Sequence, residues 1–112
     1  MSDFIIKDGI LKKYTGKDEI VVIPDDVCII DDNAFMFCDD IKKVTVSKNV
    51  TKIGYRAFLS CDSLEKILIP KTVLWIGADA LSSCPNLTIY TERGAFAERF
   101  AQPYSIPVEY ID

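Results

Sequence analysis

Three of the four cysteines, Cys38, Cys61 and Cys84, stand 23 residues apart, and thiols in series could bind a metal, form disulfides or act as nucleophiles. The chain contains no His, which removes the usual general base near neutral pH, the commonest metal ligand and every Ser/His or Cys/His pair. Tetrahedral zinc asks for ligands in loops, usually with close C-x-x-C pairs, and a disulfide asks for Cβ atoms ~3.8 Å apart on converging vectors. Neither pattern is present, so the equal spacing reads as thiols stacked by the fold in an apolar interior, reduced, in a reducing compartment. Cys28 lies outside the series, with no basic neighbour to support a thiolate. Acidic pairs at Asp25-Asp26, Asp31-Asp32 and Asp39-Asp40 lack the D-x-D-x-D-G alternation of a calcium loop and read as solvated turns. Ser60, Ser82 and Ser83 have no base to activate them. No catalytic residue, metal site or cofactor site is expected.

The chain has 112 residues, 49% hydrophobic and 27% charged, enough for one core and too little for two. Thirteen basic against seventeen acidic residues give a formal charge of −4, and without a basic block to release counterions nucleic acid is not an expected partner. Unbroken apolar runs such as Ile20 to Ile23 fall far below the ~18 residues of a membrane span, so no membrane insertion is expected. Met1 to Leu11 carries Asp3, Lys7 and Asp8 and lacks a secretory leader's apolar stretch. The expected location of the chain as written is the cytoplasm, and a leader already removed would change that.

The elements that position side chains follow from an internal repeat. Val27, Val50 and Val73 form one column, Ile30, Ile53 and Ile76 another, then Ala34, Ala57 and Ala80, then Phe35, Phe58 and Leu81, then the cysteines, then Ile41, Leu64 and Leu87. Val21, Val44 and Ile67, then Ile23, Val46 and Ile69, keep the same 23-residue step, followed by Pro24, Ser47 and Pro70. Val44-Thr45-Val46 and Ile67-Leu68-Ile69 alternate as short strands do. Proline ends the strand because it has no ladder donor. Asp32 to Cys38 and its equivalents place Ala, Phe or Leu, and Cys at helical spacing, which predicts a short helix or 3₁₀ turn. Strand, corner, second extended piece and turn return the chain above its start, with parallel rungs ~4.8 Å apart.

Ile69 to Leu87 reads IPKTVLWIGADALSSCPNL, which resembles the BspA-like leucine-rich repeat pattern Ile-Pro-x-x-Val-x-x-Ile-Gly-x-x-Ala-Phe-x-x-Cys-x-x-Leu, with Leu81 at the Phe. Asp31 stands where Gly54 and Gly77 stand later, and a left-handed backbone is expected in that column. The resemblance implies an α+β repeat solenoid, right-handed, with a parallel β-sheet on one face. Asp8-Gly9 between apolar runs predicts a β-hairpin cap, and Phe96 and Phe100, four apart after Gly94, predict a one-faced helical cap at Ala95 to Ala101, with Ile106-Pro107-Val108 as a final extended piece. The expected layout is one domain over 1–112, with a hairpin cap at 3–18, repeats at 19–41, 42–64 and 65–87, and a carboxy-terminal cap at 88–112.

In a repeat protein the positions between fixed columns decide what binds. On the strand face the candidates are Val22, Lys43, Thr45, Lys66 and Leu68, a mixed apolar and basic strip; Leu74 and the sole Trp, Trp75, stand at variable positions of the second extended piece. Trp75 has two readings, a side chain leaning over the corner of the third repeat or under the cap, and an interface anchor. The resemblance implies a non-catalytic module that binds another protein, in a family whose members are frequently secreted or at the cell surface. The alternative is a homodimer paired through Leu74 and Trp75. An enzyme would rest only on unpaired Asp, Lys and Ser.

Overall fold

The computed structural model describes residues 3–112. The hairpin forms as its turn chemistry dictates: β1 (Phe4–Lys7) and β2 (Ile10–Tyr14) pair antiparallel around Asp8 and Gly9, both at positive φ (53° and 79°), as the tight two-residue turn requires. Beyond it the chain winds through four turns of a β-solenoid. β3 (Ile20–Val22), β5 (Lys43–Thr45), β7 (Lys66–Leu68) and β9 (Thr88–Thr91) stack in parallel as a front sheet, and β10 (Val108–Tyr110) adds to its far edge. β4 (Ile29–Ile30), β6 (Lys52–Ile53) and β8 (Trp75–Ile76) form a rear sheet that starts from the hairpin through β2. The leucine-rich solenoid with hairpin and helical caps therefore forms, with parallel sheets on two faces rather than one.

Register follows the repeat. Val21, Val44, Ile67 and Ile89 are aligned across the front sheet, Leu11, Ile30, Ile53 and Ile76 across the rear, and all point inward and are buried. A one-residue slip would turn each strand's apolar set outward, which pins the pairing. An aromatic ladder runs through the interior: Phe4 to Tyr14, Tyr14 to Phe35 and Phe35 to Phe58, with ring centroids 5.2, 5.1 and 4.7 Å apart.

The third face corrects the expected helical turn. Asn33, Arg56 and Asp79 form one column of left-handed residues (φ 63°, 54° and 59°), and Phe37, Ser60 and Ser83 a second (φ 62°, 58° and 58°). Alternate N–H groups bond within the rung, as Ala34 N to Asp31 O and Met36 N to Asn33 O, both at 3.2 Å. The groups between them cross to the next rung, as Phe35 N to Ala57 O and Phe58 N to Ala80 O, both at 2.7 Å. A helix would turn every N–H back into its own rung; this backbone links rungs instead, at a left-handed cost of about 1–2 kcal/mol per non-glycine residue.

The glycine column serves another purpose than the one expected. Gly54 and Gly77 do not have positive φ. A Cβ on Gly77 would lie 2.7 Å from Tyr55 N and 2.8 Å from Tyr55 Cα, and one on Gly54 would lie 2.6 Å from Asp32 N. Glycine is needed because successive rungs touch backbone to backbone there. Asp31 opens the column on the first rung, where the layer beneath is β2 and its carboxylate meets Lys12 Nζ at 3.5 Å.

The front sheet continues through Thr88–Thr91, inside the segment expected to be cap. Thr91 is buried, and its hydroxyl donates to Ile69 O at 2.6 Å. The helix α1 (Phe96–Ala101) then buries Ala97, Phe100 and Ala101 against β8 and β9. Glu98 on its outer side accepts hydrogen bonds from Gly94 N and the Tyr110 hydroxyl, tying the helix to β10. These bonds, the tyrosine's first, hold its carboxyl below the ordinary range.

Candidate interaction surface

Because side chains alternate across a strand, each inward column leaves an outward one. On the front sheet Ile20, Lys43, Lys66 and Thr88 form one outward row in register, and Val22, Thr45, Leu68, Tyr90 and Glu109 the next. The structure thus brings Val22, Lys43, Thr45, Lys66 and Leu68 onto one face. Ile20 and Val22 are 66% and 62% exposed on β3, the strand at the sheet's open edge. Beside the second row lies a groove of about 670 Å³, lined by Val22, Thr45, Leu68, Pro70 and Ile111 together with the charged Asp25, Lys48, Lys71 and Glu92. A smaller depression of about 150 Å³ lies between Lys43, Lys66, Leu68 and Tyr90, where Lys66 Nζ stands 5.8 Å from the Tyr90 ring centroid.

Leu74 and Trp75 are not part of this surface. Trp75 aligns with Lys52 and Ile29 on the outer side of the rear sheet, half-buried, with Lys52 Nζ 4.9 Å from its ring centroid and Tyr55 edge-on at 5.1 Å. Leu74, beside it, is 70% exposed. Trp75→Ala removes an aromatic pair and a cation–π contact and is expected to cost about 1–2 kcal/mol, read as a lower urea midpoint. An unchanged midpoint with loss of a dimer in light scattering would instead make Trp75 an association anchor.

Tyr90, Glu109 and Ile111 are members of the front surface that the repeat columns do not reveal. The step from Ile67 to Ile89 is 22 residues instead of 23, so the fourth strand falls out of register with the columns. The alternation Leu87-Thr88-Ile89-Tyr90-Thr91 is the signal that finds it.

The thiol column is a packing feature. Cys61 is buried and Cys38 and Cys84 half-buried, while Cys28 is exposed. Cys61 and Cys84 donate to Phe35 O and Phe58 O at 3.1 and 3.3 Å. The neighbouring Cys84 thiol, and then burial, push the Cys61 thiol up, and burial raises Cys38 as well. Among the described residues no group of three or more His, Cys, Asp or Glu converges as metal ligands, and no helix is long and apolar enough to cross a membrane.

A family model described as BspA type leucine rich repeat region (6 copies) matches residues 6–96. The chain belongs to the BspA-type leucine-rich repeat family. Among solved structures it is similar to a leucine rich cell surface protein from Faecalibacterium prausnitzii A2-165, with 30% identity and a TM-score of 0.68, covering 77% of this chain and 27% of that one. A leucine rich repeat protein of T. pallidum matches at 21% identity with a TM-score of 0.44, covering 72% of this chain and 62% of that one. The leucine-rich repeat chain thus spans about a quarter of the length of the Faecalibacterium protein. No curated protein matches it. Leucine-rich repeat solenoids commonly mediate protein–protein interaction, and the family is generally non-catalytic.

Proposed function

We propose that the chain is a non-catalytic protein-binding module that docks its partner on the outer face of the front sheet. The observation that carries this is the register of Val22, Lys43, Thr45, Lys66 and Leu68, side chains held at rung spacing on one sheet and bordered by an apolar groove. A surface fixed by stacked rungs loses little backbone freedom on binding, which lowers the ordering cost of association. Surface display or secretion is the location that suits this reading, by analogy with the Faecalibacterium relative described as a cell surface protein.

A panel of purified surface-exposed proteins, passed over the immobilised chain, tests the reading. For a protein that binds, Leu68→Asp is expected to weaken affinity about tenfold or more and Leu74→Asp to leave it unchanged. Loss with Leu74→Asp alone would move the site to the rear sheet. One observation favours a second reading, a homodimer through Leu74 and Trp75: an exposed leucine stands beside the only tryptophan. Light scattering across a dilution series, with Trp75→Ala alongside, separates the two.

A further inference from the structure

We infer that the partner segment taken by the front face is an extended acidic peptide in which carboxylates alternate with apolar side chains; this rests on the proposed function and adds the chemistry of the ligand. Lys43 and Lys66 are register partners on adjacent strands, both exposed. Like charges placed directly opposite across a ladder destabilise the sheet. The four ion pairs among the described residues are Lys12 with Asp31, Lys42 with Glu19, Lys71 with Glu92 and Arg93 with Asp112. Among those residues neither ammonium of the facing pair has a carboxylate, although acidic residues outnumber basic ones by seventeen to thirteen. Lys66 Nζ faces the Tyr90 ring instead, at 5.8 Å.

Two uncompensated ammonium groups one rung apart, ~4.8 Å, suit two carboxylates carried on one strand. Alternate residues of an extended peptide point the same way, ~6.6 Å apart, and the long lysine stems span the difference from the rung spacing, so Glu or Asp at every second position can address both lysines. The residues between them meet Leu68, Tyr90 and, past the second row, the groove lined by Val22, Thr45 and Ile111. A densely charged polyanion fits less well: the chain carries −4 overall, and the groove beside the lysines mixes Asp25 and Glu92 with Lys48 and Lys71 and so offers no continuous basic track.

The test is an amide NMR titration of the native chain with a peptide alternating Glu and Leu, beside one alternating Lys and Leu and a heparin fragment. The Glu peptide is expected to shift Lys43, Lys66, Leu68 and Tyr90, and to bind more tightly as salt is lowered. The charge-reversed pair Lys43→Glu with Lys66→Glu is expected to weaken it at least about tenfold and to admit the Lys peptide, and the neutral pair Lys43→Gln with Lys66→Gln to fall between. Equal shifts from the Glu and Lys peptides would overturn the acidic preference and leave the front face a peptide-binding surface. A heparin fragment that binds more tightly than the Glu peptide would replace the peptide by a polyanion. Silence of these four residues with every ligand, or equal binding by the charge-reversed pair, overturns the inference. The proposed function falls separately, only if no protein partner depends on Leu68.

Discussion

Phe58→Ala is expected to lower the stability of this chain by about 3–5 kcal/mol, the cost of emptying a fully buried aromatic site. Phe58 has no exposure, and its ring stacks on Phe35 with centroids 4.7 Å apart and planes 11° from parallel. Removing it takes away the ring's own burial, the stacking on Phe35 and the support for Ala80 and Leu81 on the next rung. The stability of a domain of this size is about 5–15 kcal/mol, so the variant loses much of it at a single position. Phe58→Leu is the informative companion, because the third rung already carries Leu81 in that column and the loss should be far smaller. Urea denaturation followed by circular dichroism reads both. A Phe58→Ala midpoint close to native would mean that the rungs are not held together through this ladder.

Gly77→Ala is expected to be more harmful than its one added methyl suggests. The new Cβ would stand 2.7 Å from Tyr55 N and 2.8 Å from Tyr55 Cα, backbone atoms that move only if the two rungs part. Parting them weakens the inter-rung bonds on either side, Gly77 N to Ile53 O at 2.9 Å and Arg56 N to Ala78 O at 3.2 Å. Overpacking of this kind costs about 1–3 kcal/mol. Gly94→Ala is the control. Gly94 has φ 84°, and a methyl group added to it would meet nothing within 4 Å, so alanine there suffers backbone strain alone, about 1–2 kcal/mol. If Gly77→Ala proved as mild as a surface change, close rung contact would not be the reason for the glycine column.

The inward columns were legible in the sequence because burial leaves few options at those positions: Val21, Val44 and Ile67 repeat as a set because each occupies the same place in the stack. The hairpin was legible for a similar reason, since Asp8-Gly9 supplies two left-handed residues in succession. The turn face was not. Its left-handed positions are occupied by Asn33, Arg56 and Asp79 in one column and by Phe37, Ser60 and Ser83 in the other. Of these only Asn and Asp advertise that conformation, because inter-rung bonds rather than local propensity impose it. The purpose of Gly54 and Gly77 was hidden too, because a glycine kept for close approach and one kept for positive φ look alike in a sequence.

For the candidate site, spacing alone put Val22, Lys43, Thr45, Lys66 and Leu68 on a common face, and the pairing of β3, β5 and β7 places them there. Tyr90, Glu109 and Ile111 escaped because the 22-residue step and the returning strand β10 lie outside the 23-residue period. Leu74 and Trp75 belong to another face, since they follow the corner that carries the chain to the rear sheet.

The most direct test of the front face as the docking surface is methyl NMR of the chain with a protein that the immobilised chain retains. The methyl signals of Ile20, Val22, Thr45 and Leu68 are expected to broaden or shift on addition of that protein, while those of Ile29 and Leu74 stay in place. Changes confined to Ile29 and Leu74, with the front-sheet methyls unmoved, would contradict that expectation.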